Sequence, residues 1–168
     1  QDIDFNILLN VKDDILLTFC QTNKYVKSIC DNDYFWSLKF AIKYPNIKGI
    51  QGKYKYLYLG LRNKDKFVYT VAKDQDFDIL QLLKDNFGIF PSSIEMAKKG
   101  NIPVLQWLKD NNVYISSMLY EYAIKNKRWE TVKWLINNDI KIEVADVNLL
   151  AKKGNIELLE QEVERTGV

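Results

Sequence analysis

Apolar residues along this chain recur at spacings of three and four and do not alternate over any long stretch, so helices are expected throughout. Asp13 and Asp14 open a helix that runs through Phe19 and Cys20, their carboxylates suiting the positive end of its dipole. A second helix is expected from about Lys24 to Cys30 and a third from Tyr34 to Lys43. Asp33 is the expected N-cap of the third, and Tyr44-Pro45 ends it, because the residue before a proline disfavours helical geometry. Past a linker carrying Gly49 and Gly52, Tyr54, Leu57, Tyr58 and Leu61 share one face of a helix reaching Arg62, which is expected to dock onto the segment that follows.

From Phe67 onward the chain repeats itself. Ala97-Lys98-Lys99-Gly100-Asn101-Ile102 returns as Ala151-Lys152-Lys153-Gly154-Asn155-Ile156, and Gln106-Trp107-Leu108 returns as Lys133-Trp134-Leu135. The anchoring alanines Ala72, Ala97, Ala123 and Ala151 lie 25, 26 and 28 residues apart, room for two short helices and two turns per unit. In the second unit, Ser92 or Ser93 caps a helix that Gly100-Asn101 breaks after Lys99. Pro103 suits the first turn of the next helix, whose stripe of Ile102, Val104, Leu105 and Leu108 faces a neighbour and whose end Asn111-Asn112 can set in a left-handed conformation. The third unit follows with Trp129, Val132, Leu135 and Ile136, stopped by Asn137-Asn138. The first has Phe77, Leu80 and Leu83, stopped near Asn86 and Gly88.

The pattern Ala-x-x-x-Gly-Asn-Ile-x-x-Leu-x-Trp-Leu is similar to ankyrin repeats, above all the divergent form abundant in giant viruses of amoebae, and the similarity covers about 100 residues. The chain departs from that family in having no Thr-Pro-Leu-His turn, in units shorter than the usual ~33 residues, and in Asn126-Lys127-Arg128 where glycine is expected. In the last unit Gln161 and Glu162 replace apolar positions, as a solvent-facing terminal cap requires. Upstream, the run from Leu16 to Lys24, then Ile29-Cys30, Phe35-Trp36 and Tyr44-Pro45, resembles the F-box-like segment that precedes ankyrin repeats in giant-virus proteins, without the usual Leu-Pro start. That resemblance implies three packed helices carrying Leu16, Phe19, Cys20, Cys30, Phe35 and Trp36. It also implies docking on a Skp-type adaptor of a cullin ubiquitin ligase. The expected fold is all-α: a helical solenoid of about four degenerate ankyrin-like pairs over 67–168, preceded by a small F-box-like helical cap over 1–50 and a linker helix over 51–66.

Composition narrows the function classes. With 168 residues, 47% hydrophobic and 13% aromatic, the chain can fill a core, and 27% charge wets its surface. No apolar run approaches the ~20 residues that span a bilayer, and Gln1-Asp2-Ile3-Asp4 is unlike a signal peptide, so a soluble, cytoplasmic chain with no membrane partner is expected, in the host cytoplasm if viral. Net charge is +2, with 11 basic against 7 acidic residues over 1–66 and 13 against 15 beyond. Neither half is the polycation that nucleic-acid binding favours. The best stripe for a nucleic acid is Lys48 to Lys66, interleaved with Tyr54, Tyr56, Tyr58 and Phe67, though a solvated linker helix explains it better.

The absence of histidine removes the commonest general base and the commonest metal ligand. Cys20 and Cys30 lack zinc spacing and are expected to be buried free thiols. The seven glycines form no phosphate-cradling loop. The carboxylates Asp13, Asp14, Glu157, Glu160, Glu162 and Glu164 read as a solvated surface, and Trp36, Trp107, Trp129 and Trp134 as core. Catalysis, cofactor and metal are therefore not expected. The expected function is a non-enzymatic protein–protein interaction module, with Leu16, Tyr69, Glu95, Tyr120 and Glu121 as partner contacts. A structural particle component using the solenoid as a spacer is the alternative, and a nucleic-acid binder a third.

Overall fold

The computed structural model describes residues 2–153 and 155–166, in which thirteen α-helices and no strand occur. They are α1 (Asp2–Asn10), α2 (Asp13–Thr22), α3 (Lys24–Cys30), α4 (Asp33–Lys43), α5 (Tyr54–Gly60), α6 (Lys64–Lys73), α7 (Phe77–Phe87), α8 (Ser93–Lys99), α9 (Ile102–Asp110), α10 (Met118–Lys125), α11 (Trp129–Asn137), α12 (Val144–Lys153) and α13 (Ile156–Thr166). None is long and apolar enough to cross a membrane. The chain divides into two compact units, 1–67 with 81–89, and 68–80 with 90–168. Residues 51–66, expected as a linker, thus fall in the first unit. The Gln161 and Glu162 side chains, and Gly154, lie outside the described residues.

In the first unit α2 packs on α3, α5 on α4, and α1 and α3 on α4. Leu16, Cys30, Phe35, Trp36, Phe40 and Leu57 are fully or almost fully buried. The aromatic rings explain why α5 belongs here: Trp36 and Tyr58 lie 5.5 Å apart and Phe40 and Tyr54 5.7 Å apart, centroid to centroid. Capping differs from expectation by one residue. Asn32 caps α4, accepting from the Tyr34 amide at 2.9 Å. Asp33 instead accepts from the backbone N–H groups of Gly52 and Tyr54 at 2.8 and 2.9 Å, so it caps α5, whose N-cap residue Lys53 makes no side-chain capping bond.

The free-thiol expectation fails: Cys20 and Cys30 form a disulfide. The turn between α2 and α3, where Asn23 accepts from the Tyr25 and Val26 amides, brings their Cα atoms to 5.9 Å. That separation lies within the range a disulfide spans.

The second unit is a stack of helix pairs. α10 packs against α8 and α12, α9 against α8, and α11 against α10 and α13, while α12 packs on α13. The first helices of three pairs, α6, α8 and α10, end the same way, with Gln75, Gly100 and Lys127 at φ 55°, 75° and 54°. The next amide, of Asp76, Asn101 or Arg128, reaches back five residues to Val71, Met96 or Ala123, a Schellman closure that satisfies an end-of-helix carbonyl. Asn112 and Asp139, also left-handed, follow the C-caps of α9 and α11, and α11 stops at Asn137 with Asn138 as its C-cap, as expected. Ala72, Ala97 and Ala123 have no exposed surface, whereas Ala151 is exposed, so the alanine that anchors three pairs is uncovered in the fourth.

Candidate functional site

Helices α1 to α3 present an apolar face. Ile7, Phe19 and Tyr25 are 57%, 45% and 46% exposed, too much for single stray side chains so close together. With Leu8, Val26, Asp4 and Asn23 they line a shallow cavity of about 360 Å³, and Ile7 also edges a second hollow shared with Asn6, Asn10 and Val11. The Tyr25 hydroxyl donates to Asp4 at 3.2 Å, which ties α3 to α1 across the cavity. The face exists because α2 spends Leu16 on the core and leaves Ile15 and Phe19 on the outside.

Beneath that surface a polar cluster fixes α1. Lys39 is buried, and its ammonium donates to the Leu9 and Val11 carbonyls at 3.0 Å each, closing the C-terminal end of α1, with the Asp13 carboxylate at 3.5 Å. The Tyr58 hydroxyl donates to Asp13 at 2.7 Å, and Lys43 lies 3.6 Å from Asp13 and 4.9 Å from the Tyr58 ring centroid. Burial pushes the Asp13 carboxyl up, but the Tyr58 hydroxyl and the two ammoniums outweigh it and hold it below the ordinary aspartate range. Burial and the Asp13 carboxylate together raise the Tyr58 phenol. Every member of this cluster has a structural partner, so it reads as a clamp on α1 and not as acid–base machinery.

The partner contacts expected from sequence separate on burial. Leu16 and Tyr120 have no exposed surface: Leu16 lies on the buried side of α2, and Tyr120 on the buried side of α10 with its hydroxyl donating to the Ile140 carbonyl at 2.8 Å. Neither offers a face to a partner. Tyr69 is exposed, whereas Glu95 and Glu121 are half-buried and engaged with Lys98 and Lys125 on their own helices. Trp36 is buried with its indole N–H on the Cys30 carbonyl at 2.7 Å. Trp107, Trp129 and Trp134 are half-buried, and Trp134 donates to Gln106 of the preceding pair at 2.9 Å.

The stripe from Lys48 to Lys66 is consumed largely by its own unit. Lys55 pairs with Asp31 at 3.3 Å and Lys64 stands 4.8 Å from the Phe87 ring centroid. Tyr58 is buried and Tyr54 leans on Phe40, leaving Tyr56, itself against Phe67, as the exposed ring of the three. A stacking platform for bases needs open ring faces in a row. Among the described residues no three His, Cys, Asp or Glu side chains gather as metal ligands.

No family model, no curated protein and no solved structure matches this chain.

Proposed function

We propose that this chain is a non-enzymatic protein–protein interaction module of the giant-virus ankyrin type. In it an F-box-like cap built from α1 to α4 docks on a Skp-type adaptor while ankyrin-like pairs hold a target. The supporting observation is the apolar face of α1 to α3. It lies on the segment whose sequence resembles an F-box, and Phe19, one of the residues carrying that resemblance, stands open on it. Adaptor docking would cover Ile7, Phe19 and Tyr25, removing from water the apolar surface that the fold leaves exposed. Cytoplasmic placement belongs to the same proposal. In a reducing cytosol Cys20 and Cys30 would stand as thiols, and α2 and α3 would be held by packing around Leu16 and Cys30.

The test is calorimetric titration of a purified Skp-type adaptor into the full chain. Wild type is expected to bind, Phe19→Asp and Ile7→Asp to weaken binding at least tenfold, as burying a charge at an interface centre does. Tyr114→Asp, at an exposed ring of the second unit, should bind as wild type does. No binding by wild type, or equal loss with Tyr114→Asp, removes the adaptor assignment.

A further inference from the structure

On the second unit a groove of about 520 Å³ runs between the C-terminal ends of α6 and α8, lined by Tyr69, Lys73, Gln75, Met96, Lys99, Gly100 and Asn101. Its floor and wall are apolar, from buried Met96 and the exposed Tyr69 ring. Its charge is of one sign. Lys73 and Lys99 line it and no carboxylate does; Asp74, next to Lys73 in the chain, is exposed but outside the lining.

The two lysines differ from the corresponding ones deeper in the stack. Lys98 bonds Glu95 at 2.7 Å and Lys125 bonds Glu121, each one turn back on its own helix. Lys73 has Tyr69 and Thr70 at those positions, and Lys99 finds Glu95 already taken by Lys98. Both ammoniums are exposed, and neither has an ion-pair partner among the described residues. A lysine at a helix C-terminus complements its own dipole, and the ends of α6 and α8 bring Lys73 and Lys99 to the lining of one groove, beside the Tyr69 ring and over Met96. The polar side chains at the end of the groove are internally committed. Asn101 donates to the Ala72 carbonyl at 3.0 Å and accepts from Gln75 and the Val104 amide. The groups free to meet a ligand are therefore two cations and a phenol.

We infer that this groove binds an acidic peptide segment, with carboxylates on Lys73 and Lys99 and one apolar side chain against Met96 and Tyr69. The inference rests on the interaction-module reading and gives its target side a chemistry: charge complementarity sets orientation and on-rate, and the apolar floor supplies residence.

The probe is a fluorescein-labelled peptide Glu-Glu-Leu-Glu-Glu, followed by anisotropy with the full chain at low and moderate salt, with Gln-Gln-Leu-Gln-Gln as the uncharged counterpart. Binding of the acidic peptide that weakens with salt, and no binding of the amide peptide, is expected. Lys73→Glu with Lys99→Glu should reduce affinity roughly tenfold, the size expected when two exposed pairs become repulsions. Lys152→Glu, outside the groove, should leave it unchanged. Equal binding of both peptides, or equal loss with Lys152→Glu, overturns the inference. So does a single-stranded oligonucleotide that competes as well as the peptide, since the groove would then be a general polyanion site. The Lys73 and Lys99 variants should bind the Skp-type adaptor as wild type does, so failure here and failure of adaptor docking are read separately.

Discussion

At the scale of single residues, the first unit depends on a buried cation. Lys39 reaches two carbonyls at the end of α1 and the Asp13 carboxylate, and it is 5% exposed. Removing the carboxylate leaves that ammonium without a counter-ion, so Asp13→Asn is expected to lower unfolding free energy by about 2 kcal/mol at pH 7, with the Leu9 and Val11 carbonyls limiting the loss. Because the folded carboxyl is held below its ordinary range, this contribution is present above about pH 4 and is lost as pH falls through the folded value. Urea unfolding at pH 7 and pH 3 checks it: the gap between wild type and variant should narrow in acid. None of this was legible in the sequence, where Asp13 read as an exposed helix opener. It is one, but the same carboxylate also serves Lys39 and Tyr58 from helices 26 and 45 positions away. The disulfide escaped for a related reason. A ten-residue spacing becomes a short distance only once the α2–α3 turn is known.

At the scale of elements, helices were legible wherever a stop signal stood beside the apolar stripe. The Lys24 to Cys30 helix, the Ser92 cap, the Gly100 break and the Pro103 start are all as the sequence reads. α1 is not marked in the sequence, because Phe5, Leu8 and Leu9 have helical spacing over barely one turn, too short a stripe for periodicity to set a helix apart. The third pair lacks glycine, yet Lys127 takes the same left-handed backbone as Gly100, since the Arg128 amide closes onto Ala123 as the Asn101 amide closes onto Met96. Arg128 cannot cap as Asn101 does, and its guanidinium instead donates to the Lys98 carbonyl at 3.0 Å, fastening one pair to the next. Lys127 therefore carries a conformational cost that Gly100 avoids. Lys127→Gly is expected to raise stability by about 0.5 kcal/mol after the entropy of the freer unfolded chain, and Gly100→Ala to lower it by about 1 kcal/mol. Thermal unfolding of the two variants, moving in opposite directions, checks the shared turn.

At the scale of the whole molecule, a net charge of only +2 and an all-helical chain say little about partners, because such scaffolds carry many functions. Burial sorted the expected contact residues: Tyr69 remained at the surface while Leu16 and Tyr120 went inside. Residues of the same helix face diverge in this way once neighbours cover one part of it, and periodicity alone does not say which part. The surface features are an apolar face on the first unit and a basic groove on the second, the first proposed above for an adaptor and the second for an acidic segment. We propose the apolar face as a docking surface. Hydrogen–deuterium exchange of the full chain, free and saturated with a purified Skp-type adaptor, tests it most directly. Protection concentrated in peptides covering residues 4–30, with those covering 90–140 unchanged, is the predicted result. Unaltered exchange over 4–30, or protection confined to the helix pairs, would contradict it.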